Sequence, residues 1–398
     1  MPRQHLDCPR EARYGGVMDL EFYLDNAATT PMLPEVLAEA RPLLDEQFGN
    51  PSSLHPLGMN ARRAVKHARE RLARELGLPP QGVIFTSGGT ESDNLALRGV
   101  FASQGLKGER LLYSAIEHPA VRESAQALER EGVRTAEIPV TGEGAVDLPR
   151  LEAMLDGDVR MVSCMAVNNE IGTRQPLVEI GRLIKRKAPR AVFHVDAVQA
   201  FCKQTLPWRE AQADLLTLSA HKVHGAKGAG ALVRCRPIPL EPWSRGGGQE
   251  DGLRSGTENP FAIAAFAHAA QQAGALHREQ RAMRSEYHRR WLELLAEYPR
   301  IRVFRSSEQT HFVISFNLPS IPGEVALHHL EAEGLYVSTG SACSTRKPEP
   351  SRTLLAIGLS ESEALSTIRI SFSVFNTQAG LEQVFAAFRR AMAKLEKI

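Results

Sequence analysis

The chain has 398 residues, of which 43% are hydrophobic, so it is long enough for two or three average domains with a sizeable core. Its 48 basic and 46 acidic residues give a net charge of +2, and without a long block of one sign they argue against a nucleic-acid-binding or membrane-surface protein. No apolar run suits a signal peptide or a membrane helix, and the five separated cysteines fit neither a disulfide framework nor a zinc site, so we expect a cytoplasmic protein.

Short apolar runs alternate with helical stretches in the first part of the chain, after a polar segment at residues 1–17 that we expect to be a disordered extension. Each run ends in polar residues, and the alternation predicts a mostly parallel sheet with helices on both faces. In such sheets ligands bind beyond the carboxyl ends of the strands. The runs are residues 83–85, 111–113, 161–167, 192–195 and 215–218.

The pattern changes after Asn259 and predicts a smaller α+β domain. An Ala- and Arg-rich stretch that reaches Tyr298 is typical of a long amphipathic helix. The elements predicted after it are a strand over residues 312–317, a helix from Glu324, a loop over 338–351, a strand over 367–373 and a final helix from about Gly380.

Polar residues that follow three of the predicted strands could together hold a phosphate-bearing cofactor. Residues 87–90, Ser-Gly-Gly-Thr, let backbone N–H groups approach a phosphate, although a plain helix cap is the alternative. Asp196 and Lys222 each end an apolar strand, and taken singly each could be an ordinary cap, ion-pair partner or surface group. An amine, a carboxylate and an anion cradle are what pyridoxal phosphate requires. Lys227 is the rival amine, but its neighbours are glycine and alanine.

These features belong to an ordered series of motifs through which the chain resembles the cysteine desulfurases, in the class V aminotransferase family of fold-type I pyridoxal-phosphate enzymes. The resemblance runs from about Tyr23 to Lys394. The matching motifs are LDNAATTP at 24–31, FGNPSS at 48–53, TSGGTESDN at 86–94, EH at 117–118, VNNEIG at 167–172, HVDAVQ at 194–199, HK at 221–222, RSGT at 254–257 and GSAC at 340–343.

The resemblance implies an α/β fold of fold-type I, with a large domain on a mainly parallel seven-stranded sheet and a smaller α+β domain. It assigns residues 33–277 to the large, cofactor-binding domain. The small domain would combine residues 18–32 with 278–398. A homodimer is also implied, because Thr257 would reach the cofactor phosphate of the partner subunit. No metal is implied.

By the same resemblance, Lys222 is the Schiff-base lysine and Asp196 pairs with the pyridine nitrogen. Gln199 would hydrogen-bond the phenolic oxygen of the cofactor. His118 would stack on the cofactor ring, where it could also shuttle protons. The other residues implied to bind the cofactor, most of them at its phosphate, are Gly89, Thr90, Asn169, Ser219, His221 and Thr257.

Asn169 and Arg369 are implied to grip the carboxylate of the substrate, a role that suits the planar, bidentate guanidinium of arginine.

Cys343 distinguishes the reaction from others that use the same cofactor. It stands in a run of small polar residues, where it could be a loop cysteine of no consequence or an exposed nucleophile. The resemblance implies the second: conversion of L-cysteine to L-alanine, with sulfur kept on Cys343 as a persulfide for an unidentified acceptor protein in iron–sulfur cluster or thiolation pathways. A selenocysteine lyase, or a transaminase in which Cys343 is idle, remains the alternative.

Overall fold

The computed structural model describes residues 19–104, 109–339 and 349–397. The expected extension at residues 1–17 and the predicted nucleophile Cys343 lie outside the described residues. None of the helices in the described ranges combines the length and the apolar character needed to cross a bilayer.

A seven-stranded sheet forms the centre of the large part of the molecule. The strands are β1 (Val83–Thr86), β2 (Arg110–Ser114), β3 (Arg134–Ile138), β4 (Val159–Ser163), β5 (Val192–Asp196), β6 (Leu215–Ser219) and β7 (Gly230–Arg234). Their order is β1-β7-β6-β5-β4-β2-β3. Only β7 runs antiparallel to its neighbours, so the predicted mainly parallel α/β sheet is confirmed.

Helices cover both faces of this sheet because both faces of its strands are apolar. In β1, Val83 and Phe85 pack into one hydrophobic cluster and Ile84 packs into another on the opposite face. The helices are α1 (Pro34–Ala40), α2 (Pro42–Asp45), α3 (Pro56–Leu76), α4 (Gly89–Gln104), α5 (Pro119–Arg130), α6 (Leu148–Met154), α7 (Leu177–Lys187) and α8 (Pro260–Glu279). Helices α3, α7 and α8 pack on the first face, and α4 and α5 pack on the second.

Two strands of the sheet were not among the predicted apolar runs, and one predicted strand is too long. Edge strand β3 reads Arg-Thr-Ala-Glu-Ile and is partly exposed, while β7 follows a glycine-rich stretch. The strand predicted over residues 161–167 ends at Ser163. Residues 164–167 are nevertheless buried, and they stay beside β5, because Cys164 N and Ala166 N donate hydrogen bonds to the carbonyl oxygens of His194 and Asp196. An apolar run therefore indicates buried residues more directly than it indicates a β-strand.

A four-stranded antiparallel sheet forms the smaller part of the molecule, in the order β10-β11-β9-β8. The strands are β8 (Arg302–Val303), β9 (Val313–Asn317), β10 (Ser338–Thr339) and β11 (Thr367–Ser371). Its helices are α9 (Arg281–Ala296), α10 (Gly323–Glu331), α11 (Arg352–Ala356), α12 (Glu361–Leu365) and α13 (Gln378–Leu395). Residues 338–339, which were predicted to belong to a loop, form β10.

The long helix predicted from Asn259 to Tyr298 is wrong as one element. It is broken at Gln280, whose backbone has φ −90° and ψ 9°, between α8 and α9. The side chain of Arg284, in α9, donates hydrogen bonds back to the ring nitrogen and the carbonyl oxygen of His277, in α8. The break thus depends on a contact between two helix ends, which the periodicity of the sequence does not contain.

The segment around residues 23–30 crosses from the small sheet to the large one. Leu24 packs in the hydrophobic cluster of the small sheet, and its carbonyl oxygen accepts a hydrogen bond of 2.7 Å from Ser371 N. Ala27 and Leu33 pack in the cluster of the large sheet. The chain therefore makes contacts with both sheets before α1; the domain bounds at 32/33 and 277/278 stay a prediction.

Candidate active site

Three of the predicted site residues meet where the carboxyl ends of neighbouring strands lie side by side. Asp196 ends β5, Ser219 ends the adjacent β6, and Lys222 ends a short 3₁₀ helix (Ala220–Lys222) that follows β6. Ser219 pairs with Gly230, which also pairs with Thr86, just before the turn that contains Gly89. The register of four strands thus brings the glycine-rich turn, the carboxylate and the lysine to one edge.

Lys222 points its amine at the segment before α1. Its Nζ lies 2.7 Å from the carbonyl oxygen of Ala27 and also donates to that of Ala28. Thr30 holds the turn in place, since its N–H and its Oγ1 both donate to the carbonyl oxygen of His221 over 2.9 Å. Lys222 is partly buried, whereas the rival Lys227 is exposed. The motif at residues 24–31 was noticed only as a family marker, and its contact with the lysine was missed.

Asp196 is a buried carboxylate with one oxygen satisfied by the chain. Its Oδ1 accepts a hydrogen bond of 2.9 Å from Val198 N. Burial raises the pKa of Asp196 to about 6, against the lowering effects of that hydrogen bond and of the Lys222 charge. A buried acid of this kind is stabilised in its charged form by a cation placed beside it.

Two further buried acids, Asp93 and Glu117, interact electrostatically with Asp196 and were not assigned a role from sequence. Burial, together with the charge of Asp196, raises the pKa of each well above its usual value. Glu117 Oε1 accepts a hydrogen bond of 2.6 Å from Met165 N, and Asp93 Oδ1 lies 3.6 Å from His194 Nε2. Both residues belong to family motifs, at residues 86–94 and 117–118, and these motifs were the only sequence signal that could have indicated a role for them.

His118 caps α5 and is held in one tautomer. Its Nδ1 accepts a hydrogen bond of 3.1 Å from Ala120 N, so the proton of the neutral ring resides on Nε2. Burial, followed by the charges of Lys222 and Arg122, lowers the pKa of His118 to about 4. At neutral pH the ring is therefore uncharged, and its flat, neutral face suits stacking on an aromatic ligand.

The groups proposed to hold a phosphate differ in their surroundings. Ser219 is buried, and its Oγ has no hydrogen-bond partner among the described residues. A Cβ on Gly89 would stand 3.0 Å from Val198 Cγ2 and 3.8 Å from Ser219 Cβ, so a larger residue would fit at that turn only if the Val198 side chain shifted. His221 Nδ1 lies 3.1 Å from Thr29 Oγ1. Thr90 is exposed at the start of α4.

Gln199 and Lys222 share one acceptor. Gln199 Nε2 donates to the carbonyl oxygen of Ala27 over 2.9 Å, and its Oε1 accepts a hydrogen bond of 2.9 Å from Lys203 Nζ. The amide and the lysine amine thus both lie beside the carbonyl oxygen of Ala27, while the predicted contact of Gln199 with the phenolic oxygen of the cofactor stays a prediction.

Arg369, in β11 of the small sheet, contacts the backbone of Asn169, and the role of the two residues as a carboxylate-binding pair stays a prediction. Its Nη1 donates to the carbonyl oxygen of Asn169 over 3.0 Å, and its Nη2 lies 2.7 Å from Asp25 Oδ1. The guanidinium is buried, and its Nε has no hydrogen-bond partner among the described residues. Asp25, which sequence analysis did not assign, orients this arginine.

The structure does not bring every predicted residue to the site. Thr257 is exposed, and the neighbouring Arg254 is anchored to Glu91 at 2.8 Å. Cys343 lies outside the described residues. No group of His, Cys, Asp and Glu suited to a metal ion occurs in the described part of the chain.

The assembled residues fit pyridoxal phosphate. An amine at Lys222, a buried carboxylate at Asp196 and an unpartnered buried hydroxyl at Ser219 match its aldehyde, its pyridine nitrogen and its phosphate. Gly89 begins α4, and the free backbone N–H groups of a helix N-terminus suit a phosphate.

Comparison with known proteins shows a match along nearly the whole chain. The family model described as "Aminotransferase class-V" matches residues 22–384. A protein of Lactobacillus delbrueckii subsp. bulgaricus described as "NifS/IcsS protein homolog" is 38% identical over 95% of this chain and 98% of its own length. "Cysteine desulfurase IscS" of Dictyoglomus turgidum is 38% identical over 96% and 97%. A solved structure named "NIFS-LIKE PROTEIN" superposes with a TM-score of 0.88 at 33% identity and covers 94% of this chain and 99% of that one.

Proposed function

The chain belongs to the class V aminotransferase family, and we propose that it is a pyridoxal-phosphate-dependent cysteine desulfurase that converts L-cysteine to L-alanine. The observation that carries the proposal is the convergence of Lys222, Asp196 and Ser219 at one sheet edge, with Arg369 facing it from the small sheet. Relatives that are 38% identical over nearly the full length are cysteine desulfurases by name, which supports this reaction above others of the family.

Each residue has a distinct task in this proposal. When bound, pyridoxal phosphate supplies a ring that withdraws electrons from the α-carbon of the amino acid. Lys222 holds the cofactor through its Nζ and, when released, accepts the α-proton. Asp196 keeps the pyridine nitrogen protonated, and Arg369 with Asn169 fixes the substrate carboxylate.

Cys343 supplies the nucleophile in the proposed sulfur transfer. Its thiolate forms a bond with the sulfur of the substrate while the bond between that sulfur and the β-carbon breaks, which leaves a persulfide on the enzyme. The three-carbon product takes up protons and leaves as alanine. An acceptor protein then removes the terminal sulfur, for iron–sulfur cluster assembly or for thiolation.

The test is the product balance of the purified protein with L-cysteine. We expect equal amounts of alanine and of transferable sulfur, with loss of turnover in Lys222→Ala. Cys343→Ser should keep the visible absorption of the bound cofactor and lose the persulfide. Cys235→Ser is the matched control, because burial raises the pKa of the Cys235 thiol to about 12 and makes it a poor nucleophile.

Alanine formation that persists unchanged in Cys343→Ser would reject the proposal in favour of a transaminase-type enzyme. A kcat/KM ratio that favours selenocysteine strongly over cysteine would indicate a selenocysteine lyase instead.

A cytoplasmic homodimer is part of the proposal. Large apolar side chains are exposed in a short stretch: Leu44 (57%), Phe48 (67%), Leu54 (84%) and Met59 (51%). Such a patch is typical of a surface that a second subunit covers. Thr257 is also exposed in the single chain, and this is required of a residue that contacts a partner subunit across an interface. Sedimentation of the holoenzyme at twice the chain mass of 43.8 kDa supports the dimer, and sedimentation at that mass rejects it.

A further inference from the structure

A second pocket lies apart from the candidate active site, at the seam between the two sheets. Its volume is about 340 Å³, and it is bordered by the end of α8, the start of α9, residues 202–205 and residues 309–312. This volume is in the range of small-molecule sites. Of the residues assigned above to cofactor or substrate, none lines this pocket.

The pocket is lined by cationic side chains and by no carboxylate among the described residues. Its arginines are Arg174, Arg278, Arg281 and Arg284. Arg174 is paired with Glu308, but the other three have no ion pair in the described part of the chain. Arginine stays charged at any physiological pH, so the pocket holds an excess of positive charge, of which only the Arg284 charge is buried while Arg278 and Arg281 are exposed.

Buried polar groups without partners lie on the same pocket. Arg284 can only donate to His277 Nδ1, so the proton of the neutral imidazole is on Nε2. That N–H is buried and has no acceptor among the described residues. The hydroxyl oxygen of Thr310 is also buried without a hydrogen-bond partner among these residues. His277 and Thr310 are 5% and 3% exposed. Buried donors in proteins are nearly always satisfied, so an acceptor is expected here.

The wall towards the active site shows the same electrostatic imbalance. Lys203 lines the pocket and donates to Gln199 Oε1 over 2.9 Å. Burial, followed by the charges of Lys222, Arg369 and Arg284, lowers the pKa of Lys203 well below its usual value. Positive charges therefore repel one another across this wall, and an anion in the pocket would relieve the repulsion.

Stabilisation of the end of α8 accounts for part of this group of arginines. Arg284 donates to the carbonyl oxygen of His277 near the C-terminus of α8, where a cation stabilises the helix. Arg278 and Arg281 have no such hydrogen bond in the described residues, although they border the pocket. Arg278 also lies in the last turn of α8, where a cation stabilises the helix, but the exposed side chains of Arg278 and Arg281 have no ion pair in the described residues and can turn towards an anion in the pocket.

We propose that this pocket binds a small multivalent anion of the phosphate class, held by Arg278, Arg281 and Arg284. Guanidinium groups match phosphate oxygens in bidentate geometry, and His277 Nε2 and Thr310 Oγ1 would supply neutral donors. The site is separate from the proposed sulfur chemistry, and its ligand would bridge the ends of α8 and α9.

Isothermal titration of the holoenzyme with inorganic diphosphate tests the site. We expect one diphosphate per chain and at least about tenfold weaker binding to Arg278→Ala/Arg281→Ala, since each lost guanidinium removes a charge-assisted hydrogen bond. The matched control is Arg130→Ala/Arg300→Ala, which removes the same charge from exposed positions outside the pocket. Thr310→Val, nearly isosteric, should weaken binding to a smaller extent.

Absent binding, or equal losses in the two double variants, would overturn the proposal, because general attraction to a cationic surface would then explain the result. Citrate is the probe for the rival ligand class, and tighter binding of citrate than of diphosphate would overturn the phosphate assignment. Retention of the cofactor absorption during titration shows that diphosphate has not displaced the cofactor. Unchanged thermal unfolding of the variants without anion shows that they are folded.

Discussion

Arg369 and Asp25 form a partly buried ion pair that joins the small sheet to the segment in contact with Lys222. Arg369 Nη2 lies 2.7 Å from Asp25 Oδ1. Two residues after Asp25, the carbonyl oxygen of Ala27 accepts hydrogen bonds from both Lys222 and Gln199. The proposed substrate-binding arginine and the proposed cofactor lysine are thus held by one stretch of six residues, 25–30.

Asp25→Asn should raise the KM for cysteine by about tenfold or more, with a smaller effect on kcat. The substitution keeps an acceptor oxygen but removes its charge, and a hydrogen bond to a charged group is worth about 1.5–3 kcal/mol against about 0.5–1.5 kcal/mol for a neutral one, so the guanidinium is oriented less firmly. Steady-state kinetics of alanine formation measure the change. Asp19→Asn is the control, because Asp19 caps a surface turn through a hydrogen bond to Glu21 N that asparagine can also accept. A KM within twofold of wild type would show that Arg369 is oriented without Asp25.

Ser219→Ala should weaken cofactor binding by about tenfold while leaving the apoprotein as stable or more stable. The Ser219 hydroxyl is buried without a partner in the described residues, so its removal relieves a desolvation cost in the apoprotein but deprives the phosphate of a donor. Fluorescence titration of the apoprotein with pyridoxal phosphate measures the dissociation constant.

Ser124→Ala is the matched control, since Ser124 Oγ is also buried and without a partner, but on α5. Equal cofactor affinities for Ser219→Ala and wild type would remove Ser219 from the phosphate site.

Lys222→Met should raise the pKa of His118 in the apoprotein above about 4. The Lys222 charge is the second cause, after burial, of the low pKa of His118, and its removal favours the protonated ring. An NMR titration of the imidazole signals, assigned with His118→Gln, follows the change. Lys227→Met is the control: Lys227 contributes to the low pKa of His221 but is not among the causes for His118. A His118 pKa that responds equally to both variants would mean that Lys222 does not face the ring.

His194→Gln should make the free energy of unfolding less sensitive to acid. Burial lowers the pKa of His194 from 6.5 to about 3, so below pH 6.5 the unfolded chain binds a proton that the folded protein excludes. The contribution of this group is complete above pH 6.5 and is lost as the pH falls towards 3. Between pH 7 and 5 the wild type should lose about 2 kcal/mol more than the variant.

Urea unfolding of the apoprotein at the two pH values measures the effect of His194→Gln, with the exposed His67→Gln as control. Equal losses in wild type and His194→Gln would mean that His194 is protonated in the fold and paired with Asp93, 3.6 Å away.

The sequence predicted the site better than it predicted the elements around it. Polar residues at strand ends placed Asp196, Ser219 and Lys222 at one edge, and the register of β5 and β6 confirms that placement. Their roles stay predictions. Strand β3 was missed because an edge strand is exposed and carries polar side chains. The break at Gln280 was missed because Ala- and Arg-rich sequence favours helix on both sides of it.

By itself, the sequence determined the α/β class, the family and the residue types that pyridoxal phosphate needs, because strand alternation and short motifs are local in the chain. Only the tertiary structure decided which groups face each other. The partner of Arg369 lies 344 positions away in the chain, and the arginines of the second pocket converge only where two helix ends meet. Charge interactions act through space over a few ångströms, and the fold, not the order of residues, sets those distances.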